Sequence, residues 1–590
     1  MGASSGDSPK TIPAYSDAYG QFQFSEIESH RQGSLEHGIN ACVECCDRHV
    51  APGKIALEYE DQAGNRASYT FAQLRDLSAQ FAGFLTSQGI GAGDVVGGML
   101  PRIPDLLVTI LGTWRVGAVY QPFFTAFGPK AIEHRLGTSK AKLIVTDPAN
   151  RAKLDEIDNA PLVAVVTTEA VRAGDFDFRA ELARQGTEFT PVLRRGSDLF
   201  MLMSTSGTTG LPKGVPVPLK ALLAFEAYMT DAVDLQPEDK FWNIADPGWA
   251  YGLYYAVTGP LLLGHATTFY NGPFTVESTY RIIKTHGITN LAGAPTAYRL
   301  LIAAGPEAAA AVKGQLRVVS SAGEPLNPEV IRWFAENLAA PIHDHYGQTE
   351  LGMVVNNHHG LAHHVHPGSA GFPMRGHRMV VLDNDGAELP PLVPGTLSVD
   401  IERSPLMWFT GYLNQHTPAI EGGYYRTGDT VELSPDGYIS FVGRNDDVIT
   451  SAGYRIGPAP IEDCLLRHPA VSMAAVVGAP DATRTEIVMA FIVLNAGYVP
   501  DETLVRELQQ RRVERVVHHV KHERGVQLVF LDGQSLLDAS HAAGSGVDQH
   551  IEFVLCELIL LQAFGVCLSR QRYGLVMRAV DHEDFRALLD

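Results

Sequence analysis

The chain has 590 residues, of which 45% are hydrophobic, and this length and composition are typical of a globular protein with two or more domains. Its 46 Lys and Arg residues stand against 66 Asp and Glu residues, and the formal net charge of −20 argues against general binding to nucleic acid or anionic membranes. Six cysteines are few for this length, and Cys42, Cys45 and Cys46 lack a second pair at zinc-finger spacing, which favours reduced thiols over a metal site.

The N-terminal segment MGASSGDSPK has no apolar signal core, and Gly6 stands where a myristoylation motif has Ser or Thr. We therefore expect a cytoplasmic protein. The late apolar stretch 553–568 is short for a membrane span and contains Glu557 and Gln562, so it is better explained as a buried helix or strand.

From about residue 65 the sequence alternates between helix-like and strand-like segments. TFAQLRDLSAQFAGFLTSQG (70–89) has apolar residues at helical spacing and ends at a glycine. AKLIVTD (141–147) and LVAVVTTE (162–169) are short, β-branched apolar runs. This alternation predicts an α/β architecture with largely parallel sheets.

The stretch STSGTTGLPKGV (204–215) has the composition of a loop that encloses phosphates. Such a loop needs glycines for close backbone approach, N–H groups and hydroxyls to bind anionic oxygens, and a cation to neutralise charge. It is not a Walker A loop, because Lys213 is followed by Gly214 rather than by Ser or Thr. We interpret it as a phosphate-binding loop of another class.

In the C-terminal third, residues 421–462 contain short strand-like runs joined by Asp-Gly, Gly-Arg and Gly-Tyr turns, and a domain boundary is expected within them. The composition changes after Pro500. The last 90 residues contain none of the 35 prolines, and Lys521 is the only lysine after Arg444.

Over roughly residues 30–505 the chain resembles the adenylate-forming family of acyl-CoA synthetases, adenylation domains and luciferases. Five ordered motifs carry the resemblance: STSGTTGLPKGV (204–215), SSAGEPLNPE (320–329), DHYGQTE (344–350), YRTGD (425–429) and GRNDDVITSAGYRIGP (443–458). The resemblance implies an α/β protein with a large, multi-subdomain N-terminal adenylation domain and a small, mobile α+β C-terminal domain. The expected segments are an N-terminal extension (1–30), the adenylation domain (31–443), the small domain (444–510) and a divergent tail (511–590).

The resemblance also implies an ATP site with three catalytic residues. Lys213 helps to hold ATP, Thr349 hydrogen-bonds the α-phosphate, and Glu350 helps to bind Mg²⁺, a hard cation that prefers oxygen ligands. The implied ligands of the β and γ phosphates are Thr205, Ser206, Gly207, Thr208, Thr209, Gly210 and Lys213. The implied contacts of the adenine and ribose are Gly323, Glu324, Pro325, Asp344, His345, Tyr346, Asp429 and Arg444.

In this family the reaction has two steps, and the resemblance implies both here. A carboxylic acid attacks the α-phosphorus of ATP to give acyl-adenylate and pyrophosphate, and the CoA thiol then displaces AMP. Asp446 falls on the hinge about which the small domain rotates between the steps. The implied CoA contacts are Gly453, Tyr454 and Arg455, with Arg135 as a candidate contact of a CoA phosphate.

The acid is expected to be of short to medium chain length or aromatic. Trp249, Ala250, Tyr251, Ala322 and Gly347 fall on the acyl pocket. Acetate-specific relatives have Trp where Gly347 stands, so glycine here is expected to open a channel and to favour medium-chain or aromatic acids over acetate. Tyr251 is bulkier than the Thr of those relatives and could refill part of that space.

One family feature is missing. Family members have a Pro-Lys-Thr…Gly-Lys loop on the small domain, whose second lysine bridges the substrate carboxylate and the α-phosphate. Nothing similar follows residue 500, since Lys521 lacks that context, and Pro460 stands where Glu is commoner. Three explanations are open: a frameshifted or spliced tail, a natural divergence that removes adenylation, or a substitute cation. The alternatives to an active ligase are a nucleotide-binding pseudoenzyme and an enzyme that loads a carrier protein.

Overall fold

The computed structural model describes residues 12–510, apart from 206–211, 446, 448, 452–453, 482–484 and 496, and also the segment 527–531. The chain folds as two compact units. The first unit comprises the described residues up to Thr205, Lys213–Met379 and Val399–Gly423. The second comprises Pro212, Val380–Ser398 and the described residues from Tyr424 onward. The domain boundary expected between 443 and 444 stays a prediction. Lys521 and the apolar stretch 553–568 lie outside the described residues.

The strands up to residue 373 all belong to the first unit. In chain order they are β1 (Ile55–Asp61), β2 (Arg66–Thr70), β3 (Val95–Met99), β4 (Val119–Pro122), β5 (Leu143–Thr146), β6 (Leu162–Val165), β7 (Phe176–Asp177), β8 (Leu199–Thr205), β9 (Lys213–Pro218), β10 (Phe241–Asn243), β11 (Thr267–Asn271), β12 (Asn290–Gly293), β13 (Val318–Ala322), β14 (Ile342–Gln348), β15 (Gly352–Asn356) and β16 (Phe372–Pro373).

The later strands are β17 (Arg378–Leu382), β18 (Gly395–Asp400), β19 (Ile420–Glu421), β20 (Tyr424–Leu433), β21 (Ile439–Arg444), β22 (Ile449–Ser451), β23 (Tyr454–Ile456), β24 (Val471–Asp481), β25 (Thr485–Leu494) and β26 (Gln527–Leu531). The helices are α1 (Tyr15–Gly20), α2 (Phe24–Ser29), α3 (Ala41–Cys45), α4 (Phe71–Ser87), α5 (Pro104–Arg115), α6 (Pro129–Ser139), α7 (Pro148–Arg151), α8 (Phe178–Ala183), α9 (Ala221–Ala227), α10 (Ala250–Gly252), α11 (Gly259–Leu262), α12 (Val276–His286), α13 (Pro295–Ala303), α14 (Pro306–Ala309), α15 (Pro328–Trp333), α16 (Pro458–Leu466) and α17 (Glu502–Gln510). None of the helices in the described ranges is long and apolar enough to cross a membrane.

The first unit contains the predicted parallel sheets. One sheet has the order β7–β6–β5–β3–β4–β8–β9 and is parallel except for the last pair, and the runs predicted from AKLIVTD and LVAVVTTE form β5 and β6. A second sheet has the order β10–β12–β13–β14–β15–β16, in which the first four strands are parallel. A third sheet has the order β11–β1–β2. The α/β fold class is therefore confirmed.

Helix α4 shows why the predicted helical segment folds as it does. The Thr70 hydroxyl accepts a hydrogen bond from the Gln73 N–H, and the Gln73 side chain accepts one from the Thr70 N–H, so the two residues form a capping box at the helix start. Phe71, Leu74, Phe81 and Phe84 are fully buried, as their helical spacing predicts.

The parallel strands β13 and β14 place the predicted site motifs side by side. Their register pairs Ser321 with Asp344 and Ala322 with His345, so the segments that follow β13 and continue β14 leave the sheet at the same edge. The carboxyl edge of parallel strands is where α/β proteins bind their ligands. The fold thus gathers SSAGEPLNPE and DHYGQTE at one edge of the first unit.

The second unit contains a sheet with β17, β18, β20 and β21 in that order and a sheet with the order β23–β22–β25–β24. The second of these has a core of buried apolar residues that includes Ile461 and Leu465 of α16, Val476 of β24 and Ile492 of β25. Both helices and strands contribute to this core, as the small α+β domain implies.

Five residues of the expected tail belong to this sheet. Strand β26 pairs in parallel with β25, in a register that aligns Met489 with Gln527 and Val493 with Leu531. The sequence does not predict how residues 511–590 pack. The described segment 527–531 therefore extends the fold of the second unit past residue 510.

Asn40 is expected to be important for the stability of the first unit. It is buried, its Oδ1 accepts from the N–H groups of Cys42 and Val43 at the start of α3, and its Nδ2 donates to the carbonyls of Trp114 and Val192 at 2.8 Å each. Asn40→Ala leaves these groups buried without their partner, so we expect it to lower the free energy of unfolding by about 2–4 kcal/mol.

Thermal melting of the purified variants measures this effect. Thr70→Ala is the matched control, because it removes an exposed helix cap and should cost only about 1 kcal/mol. An Asn40→Ala protein that melts no lower than Thr70→Ala contradicts the prediction.

Candidate functional site

The predicted phosphate loop connects the two strands of a β-hairpin. Thr205 ends β8 and Lys213 begins β9, and the antiparallel register places these two residues opposite each other. The predicted ligands Ser206, Gly207, Thr208, Thr209 and Gly210 lie outside the described residues. The described flanks therefore fix where the loop leaves and rejoins the sheet.

Lys213 and Glu350 both contact the side chain of Tyr412. The Lys213 Nζ lies 4.8 Å from the centroid of the Tyr412 ring, within the range of a cation–π interaction. The Tyr412 hydroxyl donates a hydrogen bond of 2.7 Å to Glu350 Oε1. The structure thus brings together the predicted cation and the predicted metal-binding carboxylate through a residue to which the motifs do not point.

Two buried tyrosines hydrogen-bond the backbone of the segment that carries Thr349 and Glu350. The buried Tyr254 donates its hydroxyl proton to the Thr349 carbonyl at 3.0 Å, and the buried Tyr255 accepts the N–H of Met353 at 3.0 Å. Burial raises the pKa of both phenols, so they remain protonated. The hydroxyls of Tyr254 and Tyr255 therefore fix the turn between β14 and β15 through hydrogen bonds to its backbone.

The donor set of this edge fits Mg²⁺ as the metal. Glu350 offers one carboxylate, with 6% of its surface exposed, and Thr349 offers a hydroxyl. Across the described residues, no group of three or more His, Cys, Asp or Glu could hold a metal by itself. Mg²⁺ is usually bound by one or two carboxylates together with substrate phosphates and water, so a site with a single carboxylate suits it better than a transition metal.

The predicted adenine segment after β13 presents its backbone rather than its charged side chain. Gly323 has φ of +100° and is exposed, and nothing lies within 4 Å of where its Cβ would be. The Glu324 carboxylate accepts from the Thr296 hydroxyl at 2.7 Å and pairs with Arg299 at 2.7 Å, so it ties the segment to α13. Pro325 is also exposed, so the backbone of Gly323–Pro325 forms an accessible surface with space for a flat ring.

Asp344 joins the two predicted adenine segments, and the His345 ring faces the interior, so its predicted contact with the nucleotide stays a prediction for the backbone of this residue. Asp344 Oδ2 accepts the N–H of Leu326 at 3.2 Å. The His345 ring is buried: its Nδ1 accepts from the Tyr228 hydroxyl at 2.8 Å and its Nε2 donates to the Asn357 carbonyl at 3.2 Å. Burial holds its pKa well below the ordinary value, so it stays neutral.

The His345 side chain therefore points into the interior and does not present its ring to adenine. Side chains of a strand alternate between its two faces, and the neighbours Asp344 and Tyr346 are only half-buried. Tyr346 is thus the aromatic residue of the motif on the more open face.

Among the predicted acyl-pocket residues, Trp249 lies in an aromatic cluster. Its ring is 5.5 Å from those of Phe124 and Phe127. Ala250 and Tyr251 follow it on α10, and the Tyr251 hydroxyl lies 3.4 Å from that of Tyr228. Burial raises the pKa of Tyr251, which keeps this phenol neutral.

Gly347 does not open the channel that its lack of a side chain predicts. The register of β14 and β15 shifts between Tyr346 and Gly347, and a Cβ on Gly347 would overlap the carbonyl oxygen of Gly352. The space next to Gly347 is therefore filled by backbone. The remaining residue predicted for the acyl pocket, Ala322, is buried at the end of β13.

The buried position of Arg135 does not favour its predicted contact with a CoA phosphate. It is 7% exposed, its guanidinium lies 4.1 Å from the Phe127 ring centroid, and it donates to the Ala131 carbonyl at 2.8 Å. A contact with a CoA phosphate needs a guanidinium that solvent can reach. The position of Arg135 beneath Phe127 instead supports the aromatic cluster around Trp249.

In the second unit, the predicted ribose contacts lie opposite each other. Asp429 on β20 aligns with Arg444 on β21, and Arg444 Nη1 is 3.2 Å from Asp429 Oδ1. The neighbouring Thr430 hydroxyl donates to Asn445 at 2.6 Å, which fixes the end of this hairpin.

The predicted hinge and CoA residues are described only in part. Tyr454 and Arg455 lie on β23, opposite Ser451 and Thr450 of β22, whereas Asp446 and Gly453 lie outside the described residues. Pro460 lies on α16.

The chain matches two family models. One, described as AMP-binding enzyme, covers residues 46–413, and the other, AMP-binding enzyme C-terminal domain, covers residues 460–533. The chain is 37% identical to the acetyl-coenzyme A synthetase of Bacillus subtilis (strain 168) over 84% of this chain and 88% of that protein. Its fold is similar to a crystal structure of Brucella canis acyl-CoA synthetase, with a TM-score of 0.76, 60% identity and coverage of 88% and 95% of the two chains. A structure of ATP-bound MatB from Rhodopseudomonas palustris matches with a TM-score of 0.72 and 25% identity over 83% and 95%.

The contact between Gly347 and Gly352 generates a prediction about Gly347→Ala. A methyl group at this position forces the backbone of the β14–β15 turn to move, and that turn carries Thr349 and Glu350. We expect the variant to lose about 1–3 kcal/mol of stability and to lose binding of MgATP, with no change in the preference among acids of different length.

Melting curves and calorimetric titration with MgATP measure both effects. Ala250→Val is the control, because Ala250 is half-buried among the predicted acyl-pocket residues and belongs to α10 rather than to that turn. A Gly347→Ala protein that binds MgATP normally and prefers shorter acids contradicts the steric argument.

Proposed function

Because the chain belongs to the AMP-binding enzyme family, we propose that it joins a medium-chain or aromatic carboxylic acid to CoA through an acyl-adenylate. It is an AMP-forming acyl-CoA ligase that uses ATP, Mg²⁺ and CoA. The observation that supports these site assignments best is the convergence of Lys213 and Glu350 on Tyr412 at the phosphate-loop hairpin.

In the first step of the proposed reaction, a carboxylate oxygen of the acid attacks the α-phosphorus of ATP, and the bond from that phosphorus to the bridging oxygen of pyrophosphate breaks. Lys213 neutralises the leaving pyrophosphate, and the Thr349 hydroxyl donates to an α-phosphate oxygen. Glu350 would hold Mg²⁺, which would supply positive charge to neutralise phosphate oxygens. In this scheme the residues position the reactants and stabilise charge, and no enzyme nucleophile is needed.

In the second step, the CoA thiolate attacks the acyl carbon and AMP leaves with the electrons of the bond between that carbon and the phosphate oxygen. The proposed contacts for this half-reaction are Gly453, Tyr454 and Arg455 in the second unit. Asp429 and Arg444 are proposed to hold the ribose hydroxyls, because a carboxylate can accept hydrogen bonds from both oxygens of a vicinal diol.

The preference for a larger acid is supported by two features of the first unit. Ala250 and Ala322 are small residues, and the Trp249 cluster offers aromatic faces suited to an aryl or alkyl chain. Acetate is the second candidate, and the 37% identity to the acetyl-coenzyme A synthetase of B. subtilis favours it.

A cytoplasmic location is part of the same proposal. The cysteines at positions 42, 45, 46 and 464 are free thiols, which suits a reducing compartment.

A series of acids tests this preference. We expect kcat/KM for AMP formation to be larger with hexanoate, octanoate or benzoate than with acetate. A buried methylene contributes about 0.8 kcal/mol, so each added carbon that fits should raise kcat/KM by about threefold to fourfold. A series with its maximum at acetate selects the second candidate.

The missing family lysine suggests that the first step is impaired. Within the sequence after Arg444 only Lys521 remains, and it lacks the Gly-Lys context of the family loop. Loss of one charged contact to a transition state typically costs roughly 10² to 10³ in rate. We propose that the acid is adenylated slowly, whereas acyl-adenylate and CoA react at the normal rate.

Measuring the two half-reactions separately checks this proposal. We expect pyrophosphate exchange, which reports adenylation, to be slow, and acyl-CoA formation from added acyl-adenylate to be fast. Fast pyrophosphate exchange contradicts the impairment, and binding of MgATP without either half-reaction indicates a pseudoenzyme. The coding DNA around codon 510, read in all three frames, shows whether the Gly-Lys segment is present out of frame.

A further inference from the structure

Tyr412 lies between the two charged residues proposed to act at the phosphate end of ATP. Its ring faces the Lys213 ammonium at 4.8 Å, and its hydroxyl donates to Glu350 Oε1 at 2.7 Å. The two contacts use different parts of one side chain, the face of the ring and the phenolic proton. Both can therefore be made at the same time.

Each contact has a defined physical effect. A hydrogen bond to a carboxylate is charge-assisted and directional, so it restricts the rotation of the Glu350 carboxylate. It occupies one acceptor position on Oε1 and leaves the other lone pairs of the carboxylate for another ligand. The ring face attracts the ammonium through its quadrupole, which limits where the long Lys213 side chain can go. Tyr412 thus orders one anion and one cation in a single arrangement.

The position of Tyr412 is itself fixed by contacts with the phosphate-loop hairpin. The next residue, Leu413, donates its N–H to the Gly214 carbonyl at 2.9 Å, directly beside Lys213 on β9. The Tyr412 N–H donates to the Thr417 hydroxyl at 2.8 Å, and its ring packs edge-on against Phe409 at 5.2 Å. The tyrosine is therefore attached to the strand that leads out of the phosphate loop.

We propose that Tyr412 is a positioning residue that orients Glu350 for Mg²⁺ and holds Lys213 beside it for the phosphates of ATP. This inference rests on the proposed function, because it assigns those two partners to the bound nucleotide. The hydroxyl acts on the Glu350 carboxylate, and the ring acts on the Lys213 ammonium. The two functions are separable by substitution.

Tyr412→Phe removes the hydroxyl and keeps the ring. We expect ATP binding in EDTA to stay within twofold of the wild type, since Lys213 keeps its aromatic partner. Binding of MgATP should weaken about tenfold, since Glu350 loses its charge-assisted hydrogen bond. The measured quantity is the ratio of the Kd in EDTA to the Kd in Mg²⁺, obtained by calorimetric titration of the full-length protein.

Tyr412→Leu removes both groups. We expect the ratio of the Kd in EDTA to the Kd in Mg²⁺ to fall about tenfold, as in Tyr412→Phe. In addition, ATP binding in EDTA should weaken by about twofold to fivefold, because the cation–π contact is lost. Tyr280→Phe is the matched control. It removes a buried phenol hydrogen bond, to the Leu301 carbonyl at 3.3 Å, on helix α12, and should leave the ratio unchanged.

The substitution Glu350→Gln completes a double-mutant cycle. If Tyr412 acts through Glu350, then Tyr412→Phe in the Glu350→Gln background should change the ratio by less than twofold. This coupling distinguishes positioning from a general loss of stability, even where Tyr412→Phe melts at a lower temperature.

The outcomes separate the inference from the function on which it rests. A wild-type protein that binds no MgATP overturns the proposed function. A wild type for which Mg²⁺ tightens ATP binding, combined with an unchanged ratio in Tyr412→Phe, overturns the inference alone. The inference alone is also overturned if Tyr412→Phe changes the ratio of the two Kd values equally in the wild-type and in the Glu350→Gln background.

Discussion

The parallel register of β13 and β14 is the constraint on which the first unit's site depends. Because Ala322 aligns with His345, the glycine-containing segment after β13 and the Thr349–Glu350 segment after β14 leave the sheet at one edge. The first segment supplies exposed backbone at Gly323, and the second supplies the Thr349 hydroxyl and the Glu350 carboxylate, so the two contribute different chemical groups to the same edge. The hydrogen bond from the Leu326 N–H to Asp344 then fixes the distance between them.

Much of this arrangement could be predicted from the sequence because it is encoded locally. The capping box at Thr70 and the β-branched runs that form β5 and β6 depend on residues close in the chain, and so do the strands on either side of the phosphate loop. The ordered motifs also indicated the family and the fold class. Short-range patterns therefore sufficed for the elements and for the chemistry of the loop.

The remaining features depend on contacts between residues far apart in the chain. Tyr412 reaches Glu350 from a segment that is hydrogen-bonded to Gly214, and no pattern near position 412 indicates either contact. The inward direction of His345 follows from Tyr228 and Asn357, and the burial of Arg135 follows from packing under Phe127. In both cases the motif predicts a ligand contact, whereas the structure shows side-chain partners that lie far away in the sequence.

The close approach of Gly347 and Gly352 has a consequence for how the turn between β14 and β15 can accept substitutions. A larger side chain at position 347 cannot be accommodated while the carbonyl of Gly352 stays where it is, so the two positions must be altered together, with a different course of the backbone between β14 and β15. Substitutions at positions 347 and 352 are thus expected to be coupled. A tryptophan at position 347 would require a rebuilt turn between β14 and β15, so exchanging this one residue would place a side chain where the present backbone leaves no space for it.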